Sequence, residues 1–217
     1  GEQVDLFEKK LCSVTGAKYS VVCSSGTSAL HLACLGIGLK KDDIAIVPTL
    51  SFLATANAVR YCGANVFFSD VCANSGLMTP DTYEAAITSA QKQGYRIKAV
   101  LPVHLTGTPV DLKEIRAISK KHNIKIIADS CHAIGGEYVG NPIGACVYED
   151  AATFSFHPVK TITSGEGGAV TTNSLTISKK IKALRSHSME KNTSMYSWEY
   201  KMKELGFNYR INDFQCA

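Results

Sequence analysis

Short apolar runs and longer amphipathic stretches alternate along most of the chain. Runs rich in Val, Ile and Phe predict buried strands, and stretches with apolar residues three or four positions apart predict helices. The predicted strands cover residues 19–23, 44–48, 65–69, 97–102, 124–129, 151–156 and 169–172. The predicted helices cover residues 4–11, 29–35, 52–62, 80–92, 112–122 and 177–185. This alternation predicts an α/β fold with a mostly parallel central sheet and helices on both faces.

The composition is typical of a globular protein without a membrane span or a nucleic-acid interface. The 217 residues are 45% hydrophobic, and no apolar run approaches the roughly 20 residues that cross a bilayer. The net charge of +4 comes from 23 basic and 19 acidic residues that are scattered along the chain. This distribution is compatible with an anionic small ligand but provides no basic stripe for nucleic acid.

The eight cysteines show no C-x-x-C spacing, and several lie inside apolar strand or helix patterns. We therefore expect free thiols in a protein of the reducing cytoplasm, rather than a disulfide framework or a zinc site. The turn-rich residues 188–197 predict a flexible connection.

The sequence at both ends indicates that the chain is a piece of a longer protein. The chain begins at Gly1 without methionine, and it stops at Ala217 inside what the pattern predicts to be the first turns of a helix. We expect one large domain that is truncated at both ends.

Lys160 is the first candidate for chemistry, because it follows the predicted strand 151–156 and Pro158. The turn continues into Gly165, Gly167 and Gly168, which would let a ligand approach the backbone. A lysine held at a strand end can lose hydration, which favours the neutral amine that forms Schiff bases. A solvated surface lysine is the favoured interpretation of this stretch taken alone.

The segment from Ser24 to Ser28 joins a strand to a helix. Helix N-termini present unpaired N–H groups and a partial positive charge, so Gly26, Thr27 and Ser28 could hold a phosphate. The alternative is an ordinary serine N-cap, which the local sequence favours. The segment is neither a Walker loop nor a G-x-G-x-x-G fingerprint.

Three further strand exits carry polar or aromatic candidates. Asp129 ends the strand 124–129, and a carboxylate there needs a cationic partner, unless it caps a helix. His132 lies three residues further on and could face the same ligand or be structural. Phe52 could stack on a planar ring or pack in the core, and His104 follows the strand 97–102.

Taken together, these exits supply a phosphate cradle, a stacking ring, a carboxylate and a lysine. Pyridoxal 5′-phosphate (PLP) needs those four groups for its phosphate, its ring, its pyridine nitrogen and its aldehyde. PLP is therefore the predicted cofactor.

Five stretches now carry a family resemblance. They are residues 24–32 (SSGTSALHL), 129–135 (DSCHAIG), 154–160 (FSFHPVK), 165–170 (GEGGAV) and 206–210 (GFNYR). In this order they resemble the DegT/DnrJ/EryC1/StrS sugar aminotransferases, over nearly the whole chain. Residues 155–160, 184–187 and 204–210 are similar to the branch of this family that serves pseudaminic acid biosynthesis.

The resemblance implies the large domain of a fold-type-I PLP-dependent transferase, with the family's small C-terminal domain absent. Catalysis would fall to Lys160, Asp129 and His132. It implies these cofactor contacts: Gly26, Thr27, Ser28 and Ser155 on the phosphate, Phe52 on the ring face, Asp129 on the pyridine nitrogen, His132 near the ring hydroxyl, and Lys160 on the aldehyde.

The resemblance also implies a homodimer with a shared active site. Asn208 would reach the phosphate of the neighbouring subunit, with Arg210 as a weaker candidate for the same task.

The implied reaction moves an amino group, from L-glutamate, to C4 of a UDP-4-keto-6-deoxyhexose for bacterial glycan biosynthesis. Two alternatives stay open. One is a PLP-dependent nucleotide-sugar dehydratase of the same family, some of which replace the lysine with histidine. The other is a non-catalytic regulatory protein with the same fold.

Overall fold

Seven strands form one central sheet in the computed structural model, which describes residues 1–190, 196 and 198–217. They are β1 (Tyr19–Cys23), β2 (Ile44–Pro48), β3 (Asn65–Ser69), β4 (Ile97–Val100), β5 (Lys125–Asp129), β8 (Ala151–Ser155) and β9 (Gly168–Thr172), in the spatial order β1-β9-β8-β5-β4-β2-β3. Two small antiparallel pairs lie outside the central sheet, and each of their strands has two residues. One pairs β6 (Glu137–Tyr138) with β7 (Asn141–Pro142), and the other pairs β10 (Met189–Glu190) with β11 (Lys201–Met202).

Six helices pack on this sheet or its edges, and a short seventh follows near Ala217. They are α1 (Glu2–Thr15), α2 (Gly26–Gly36), α3 (Leu53–Tyr61), α4 (Pro80–Lys92), α5 (Leu112–His122), α6 (Leu175–Leu184) and α7 (Asp213–Cys216). A 3₁₀ turn covers Leu105–Gly107. None of the described helices is long and apolar enough to cross a membrane.

The sheet is mostly parallel, as predicted. The pairs β2–β3, β2–β4, β4–β5 and β5–β8 are parallel, and only β9 runs against its neighbours β1 and β8. All central strands except β9 therefore end at the same edge of the sheet. The loops that follow β1, β2, β4, β5 and β8 meet there.

Two apolar clusters cover the two faces of the sheet. Side chains alternate along a strand, so Ile126 packs in one cluster and Ile127 in the other. The first cluster includes residues of α1, α4 and α5, and the second includes residues of α2, α3 and α6. The predicted α/β fold with helices on both faces is confirmed.

Element bounds differ from the prediction by a few residues. β8 stops pairing at Ser155, before Pro158, because the chain closes a loop there. Ser164 N–H and Thr163 Oγ1 both donate to the carbonyl of Phe156, which brings the ends of the Lys160 loop together. Residues 191–195 and 197 lie outside the described residues, so the predicted flexible connection at 188–197 stays a prediction.

A buried ion pair ties α1 to the first strand and to α6. The carboxylate of Glu8 contacts Arg185 Nη1 at 2.8 Å and Lys182 Nζ at 3.1 Å, and it accepts a hydrogen bond from Val22 N–H at 3.2 Å. Arg185 Nη1 also donates to the carbonyl of Val22 at 2.7 Å. The pair thus fixes the strand that leads into the Ser24–Ser28 segment.

We expect Arg185→Met to lower the free energy of unfolding by about 3–5 kcal/mol, because it leaves Glu8 buried with one half-exposed partner. Lys182→Met is the matched control on the same helix, and it should cost less than about 1 kcal/mol since Lys182 is 51% exposed. Urea unfolding of both variants measures the difference. Equal losses would contradict a special role for Arg185.

Candidate active site

A cavity of about 370 Å³ opens at the edge where the central strands end. Its lining residues from the predicted set are Gly26, Thr27, Phe52, Asp129, His132, Ser155 and Lys160. These residues come from the ends of four strands, β1, β2, β5 and β8, and His104 adds the end of β4, so the predicted strand exits converge on one cavity. The structure places Ser28 and Asn208 outside this lining.

The N-terminus of α2 forms one wall of the cavity. Ser25 caps the helix: its Oγ accepts from Ser28 N–H at 3.1 Å, while Ser28 Oγ accepts from Ser25 N–H at 2.9 Å. Both polar groups of Ser28 are therefore engaged in the capping box. Gly26 and Thr27 line the cavity at this capped N-terminus, so the serine cap is present and the predicted phosphate contact stays a prediction.

Two glycines permit a close approach of backbones beside this N-terminus. A Cβ at Gly26 would lie 2.7 Å from Ser155 Cβ, and a Cβ at Gly168 would lie 2.2 Å from the carbonyl oxygen of Ser25. Any larger residue at Gly168 would push the helix start away from the sheet. Ser155 Oγ is held beside Gly26 and is positioned to serve the same ligand group.

Asp129 is 5% exposed at the end of β5 and does not cap a helix. Its Oδ2 accepts from Thr55 Oγ1 at 2.7 Å, and its Oδ1 accepts from Cys131 N–H at 3.2 Å. In the described part of the chain, no Lys, Arg or His nitrogen lies within 4.0 Å of this carboxylate. A buried carboxylate without a cation is suited to a ligand that brings a positive charge.

Thr55 is a site residue that the sequence did not indicate. It lies one turn into α3, is fully buried, and also contacts Ser51 Oγ at 2.7 Å. Nothing in the spacing of α3 separates this threonine from an ordinary helical one, because its partner is 74 residues away.

Cys131 is a second such residue, on the cavity wall beside Gly26. Burial and the neighbouring Asp129 charge raise the pKa of its thiol well above the usual value. The protonated thiol is therefore favoured at this position.

Three histidines, His104, His132 and His157, line the cavity, and the pKa values of His104 and His132 are lowered. Val110 N–H donates to His104 Nδ1 at 3.1 Å, and burial lowers the pKa of His104 to about 4. Thr106 N–H donates to His132 Nδ1 at 3.3 Å, and loss of hydration, assisted by the charge of Lys160, lowers the pKa of His132. In the neutral form of these two rings the proton is then on Nε2.

Lys160 lies in the loop after β8, with its N–H bonded to the carbonyl of His157 at 2.9 Å. Its side chain is half-buried, and no carboxylate of the described residues lies within 4.0 Å of Nζ. Lys160 lines the cavity together with His132 and Cys131. This geometry is unlike that of a solvated surface lysine.

The exposed part of the cavity lining includes two large apolar side chains beside His157 and Glu166. Phe52 is 65% exposed and Val159 is 78% exposed, although both line the cavity. Phe52 therefore does not pack in the core, and its ring is available to a planar ligand.

The described residues contain no cluster of three His, Cys, Asp or Glu side chains that could hold a metal ion. All eight cysteines are free thiols in the structure.

Comparison with known proteins places this site in a family. The family model of the DegT/DnrJ/EryC1/StrS aminotransferases matches residues 1–217. The chain belongs to this family.

Among curated relatives, a UDP-4-amino-4,6-dideoxy-N-acetyl-β-L-altrosamine transaminase of Campylobacter jejuni is 43% identical over 217 residues, which are 100% of this chain and 55% of that protein. The chain thus spans about half the length of the curated relatives it matches.

Two solved structures superpose on the whole chain. Helicobacter pylori PseC, an aminotransferase involved in the biosynthesis of pseudaminic acid, gives a TM-score of 0.89 at 34% identity and is covered to 56%. NtdA from Bacillus subtilis, solved with bound cofactor PMP, gives a TM-score of 0.84 at 32% identity and is covered to 46%. The family assignment made from the five sequence stretches is confirmed.

We expect the buried His104 to make the chain acid-sensitive. Its pKa is about 4 when folded against 6.5 as the ordinary value, so between these limits the unfolded chain binds the proton more tightly. The neutral His104 therefore does not reduce the free energy of unfolding above pH 6.5. This free energy falls by up to about 3 kcal/mol as the pH drops to 4.

Replacing His104 by Asn keeps an acceptor for Val110 N–H and removes the titration, so stability should vary less between pH 4 and pH 6.5. His122→Asn, on the outer end of α5, is the control, and its free energy of unfolding should change with pH as in the wild-type protein. Chemical unfolding over this pH range tests both variants. Unchanged slopes in His104→Asn would show that other groups cause the acid sensitivity.

Proposed function

We propose that this chain is the cofactor-binding part of a PLP-dependent transaminase that aminates a nucleotide sugar. The observation that carries the proposal is the cavity itself, in which Lys160, the buried Asp129 carboxylate and the α2 N-terminus face one another. The amino donor would be an amino acid, by family resemblance L-glutamate. The acceptor would be C4 of a UDP-4-keto-6-deoxyhexose, which agrees with the name of the C. jejuni relative.

The residues present fit PLP. The carboxylate of Asp129 lacks a cation among the described residues and would accept one from a protonated pyridine nitrogen. Gly26, Thr27 and Ser155 surround a helix N-terminus, where a phosphate dianion is stabilised. Ser28 would support this group through the capping box, and a direct contact with the phosphate would require it to leave that box.

When bound, the cofactor supplies an aldehyde and an aromatic ring that accepts electrons. Asp129 would keep the ring nitrogen protonated, with Thr55 Oγ1 and Cys131 N–H holding the carboxylate in place. Lys160 Nζ would bind the aldehyde and move a proton to and from the substrate carbon. Phe52 would cover the ring and exclude water from one face.

His132 would lie near the ring hydroxyl of the cofactor and donate a hydrogen bond there from Nε2–H. Because Thr106 N–H donates to Nδ1, the neutral ring carries its hydrogen on Nε2, and the lowered pKa favours this neutral form. A neutral imidazole would not compete with the protonated ring nitrogen for the carboxylate of Asp129.

We propose further that residues 1–217 form the larger domain of a longer enzyme, with a second domain completing the sugar-nucleotide site. The enzyme would be a cytoplasmic homodimer in which Asn208 of one subunit reaches the phosphate bound by the other. Exposure of Asn208 on the outside of this domain supports that assignment.

Sodium borohydride reduction of the full-length protein with PLP should attach the cofactor to the peptide that contains Lys160. Lys160→Ala should abolish the attachment and all turnover, whereas Lys179→Ala, an exposed lysine on α6, should leave both unchanged. Mass spectrometry of the digested protein reads the result. Attachment to any other lysine, or none, would refute the proposal.

The product of a 4-keto sugar substrate distinguishes this transaminase from a dehydratase of the same family. An amino sugar supports the proposal, and a deoxy sugar supports the dehydratase. A full-length protein that binds no PLP at all would indicate the regulatory alternative.

Asp129→Asn should lower kcat by at least about 100-fold, because a neutral amide does not hold the ring nitrogen protonated. Thr55→Val should lower it by about 10-fold, since the carboxylate loses one charge-assisted hydrogen bond. Asp70→Asn, an exposed strand-exit carboxylate after β3, is the control and should be neutral. Steady-state kinetics with saturating PLP measures all three. A Thr55→Val enzyme with wild-type kcat would remove Thr55 from the mechanism.

A further inference from the structure

Residues 206–210 lie beside the start of the Ser24–Ser28 segment, and Asn208 forms an isolated β-bridge. Phe207 and Tyr209 are half-buried against the domain, whereas Asn208 and Arg210 are exposed on the opposite side. This alternation is that of a strand with one packed side. The packed side therefore decides where Asn208 points.

Backbone hydrogen bonds join this segment to two other elements. Tyr209 accepts from Ser24 N–H at 2.9 Å and donates to the carbonyl of Arg185 at 3.0 Å, and Phe207 N–H donates to the carbonyl of Leu184 at 2.7 Å. Ser186 and Asn208 pair as an antiparallel bridge. Residues 206–210 thus connect the end of α6 with Ser24, two residues before Gly26.

The side chains of the packed side meet one histidine of α2. Tyr209 Oη and His31 Nδ1 are 3.1 Å apart, and His31 is only 3% exposed. The Phe207 ring lies edge-on to His31 at 4.9 Å and stacks on Tyr209 at 4.9 Å. His31 belongs to the same helix as Gly26 and Thr27, five residues after the first of them.

We infer that His31 and Tyr209 are positioning residues: their hydrogen bond holds the 206–210 segment on α2 and so fixes the direction of Asn208 toward a second copy of this chain. The inference rests on the proposed shared active site. In a twofold dimer the same segment of each subunit serves the opposite cavity, so an error in its placement weakens the partner's site.

Two variants of the full-length protein remove the bond while keeping the ring packing, namely Tyr209→Phe and His31→Phe. Each should weaken PLP binding about 3–10-fold, the effect of one lost neutral hydrogen bond. The double variant should be no weaker than either single one. Tyr61→Phe is the control, because its ring also packs edge-on against His31, at 5.5 Å, and its hydroxyl makes no hydrogen bond with the described residues.

The Asn208→Ala background shows whether the bond acts through Asn208. Once that side chain is absent, Tyr209→Phe should cause no further loss of PLP affinity. A full additional loss there would overturn the inference, since it would mean that Tyr209 acts on the cradle of its own subunit through Ser24.

Hybrid dimers locate the effect. One hybrid joins a Lys160→Ala subunit to a Tyr209→Phe subunit, and the other joins a subunit with both substitutions to a wild-type subunit. In either hybrid only one site keeps Lys160, and PLP affinity is measured by its covalent attachment there. We expect weakened attachment in the second hybrid only.

Weakened attachment in the first hybrid, in both, or in neither overturns the inference. Failure of the proposed function has a different signature: wild-type protein without PLP attachment overturns the function together with the inference. Normal attachment with an unaffected Asn208→Ala variant overturns the shared site and the inference but leaves the Lys160 chemistry standing.

Discussion

The contact between β9 and the start of α2 is the constraint on which the site depends. Gly168 lies so close to the carbonyl of Ser25 that a Cβ would be 2.2 Å from that oxygen, and a Cβ at Gly26 would be 2.7 Å from Ser155 Cβ. Because of these two glycines, the helix N-terminus can lie against the end of β8 and the start of β9. The partial positive charge of the helix and the loop of Lys160 therefore face one cavity.

Charge balance in the cavity depends on burial as much as on residue type. Asp129 is held by Thr55 and a backbone N–H instead of by a cation, while loss of hydration lowers the pKa values of His104 and His132. Among the described residues that line the cavity, Lys160 is the only lysine or arginine. Such an arrangement leaves the carboxylate available to a cationic ligand and leaves the amine available to an electrophile.

Periodicity predicted the main elements well, because strands such as β1 and helices such as α4 bury continuous or amphipathic patterns that local sequence carries. It missed β6, β7, β10 and β11, since two residues have no period. It also missed Thr55 and Cys131, whose importance comes only from their distance to Asp129. The roles of Ser28 and Asn208 stay predictions, and the structure places both outside the cavity lining.

The sequence by itself determined the α/β alternation, the family and the order of the strand exits, because each depends on local patterns or on residues close in the chain. Only the tertiary structure decided which groups share one cavity, how far each is buried and which hydrogen bonds it makes. Phe52 is exposed instead of packed in the core, and Ser28 is part of the capping box at the start of α2. The reason is that burial, hydrogen-bond partners and charge depend on residues distant in sequence, as in the pair of Thr55 and Asp129.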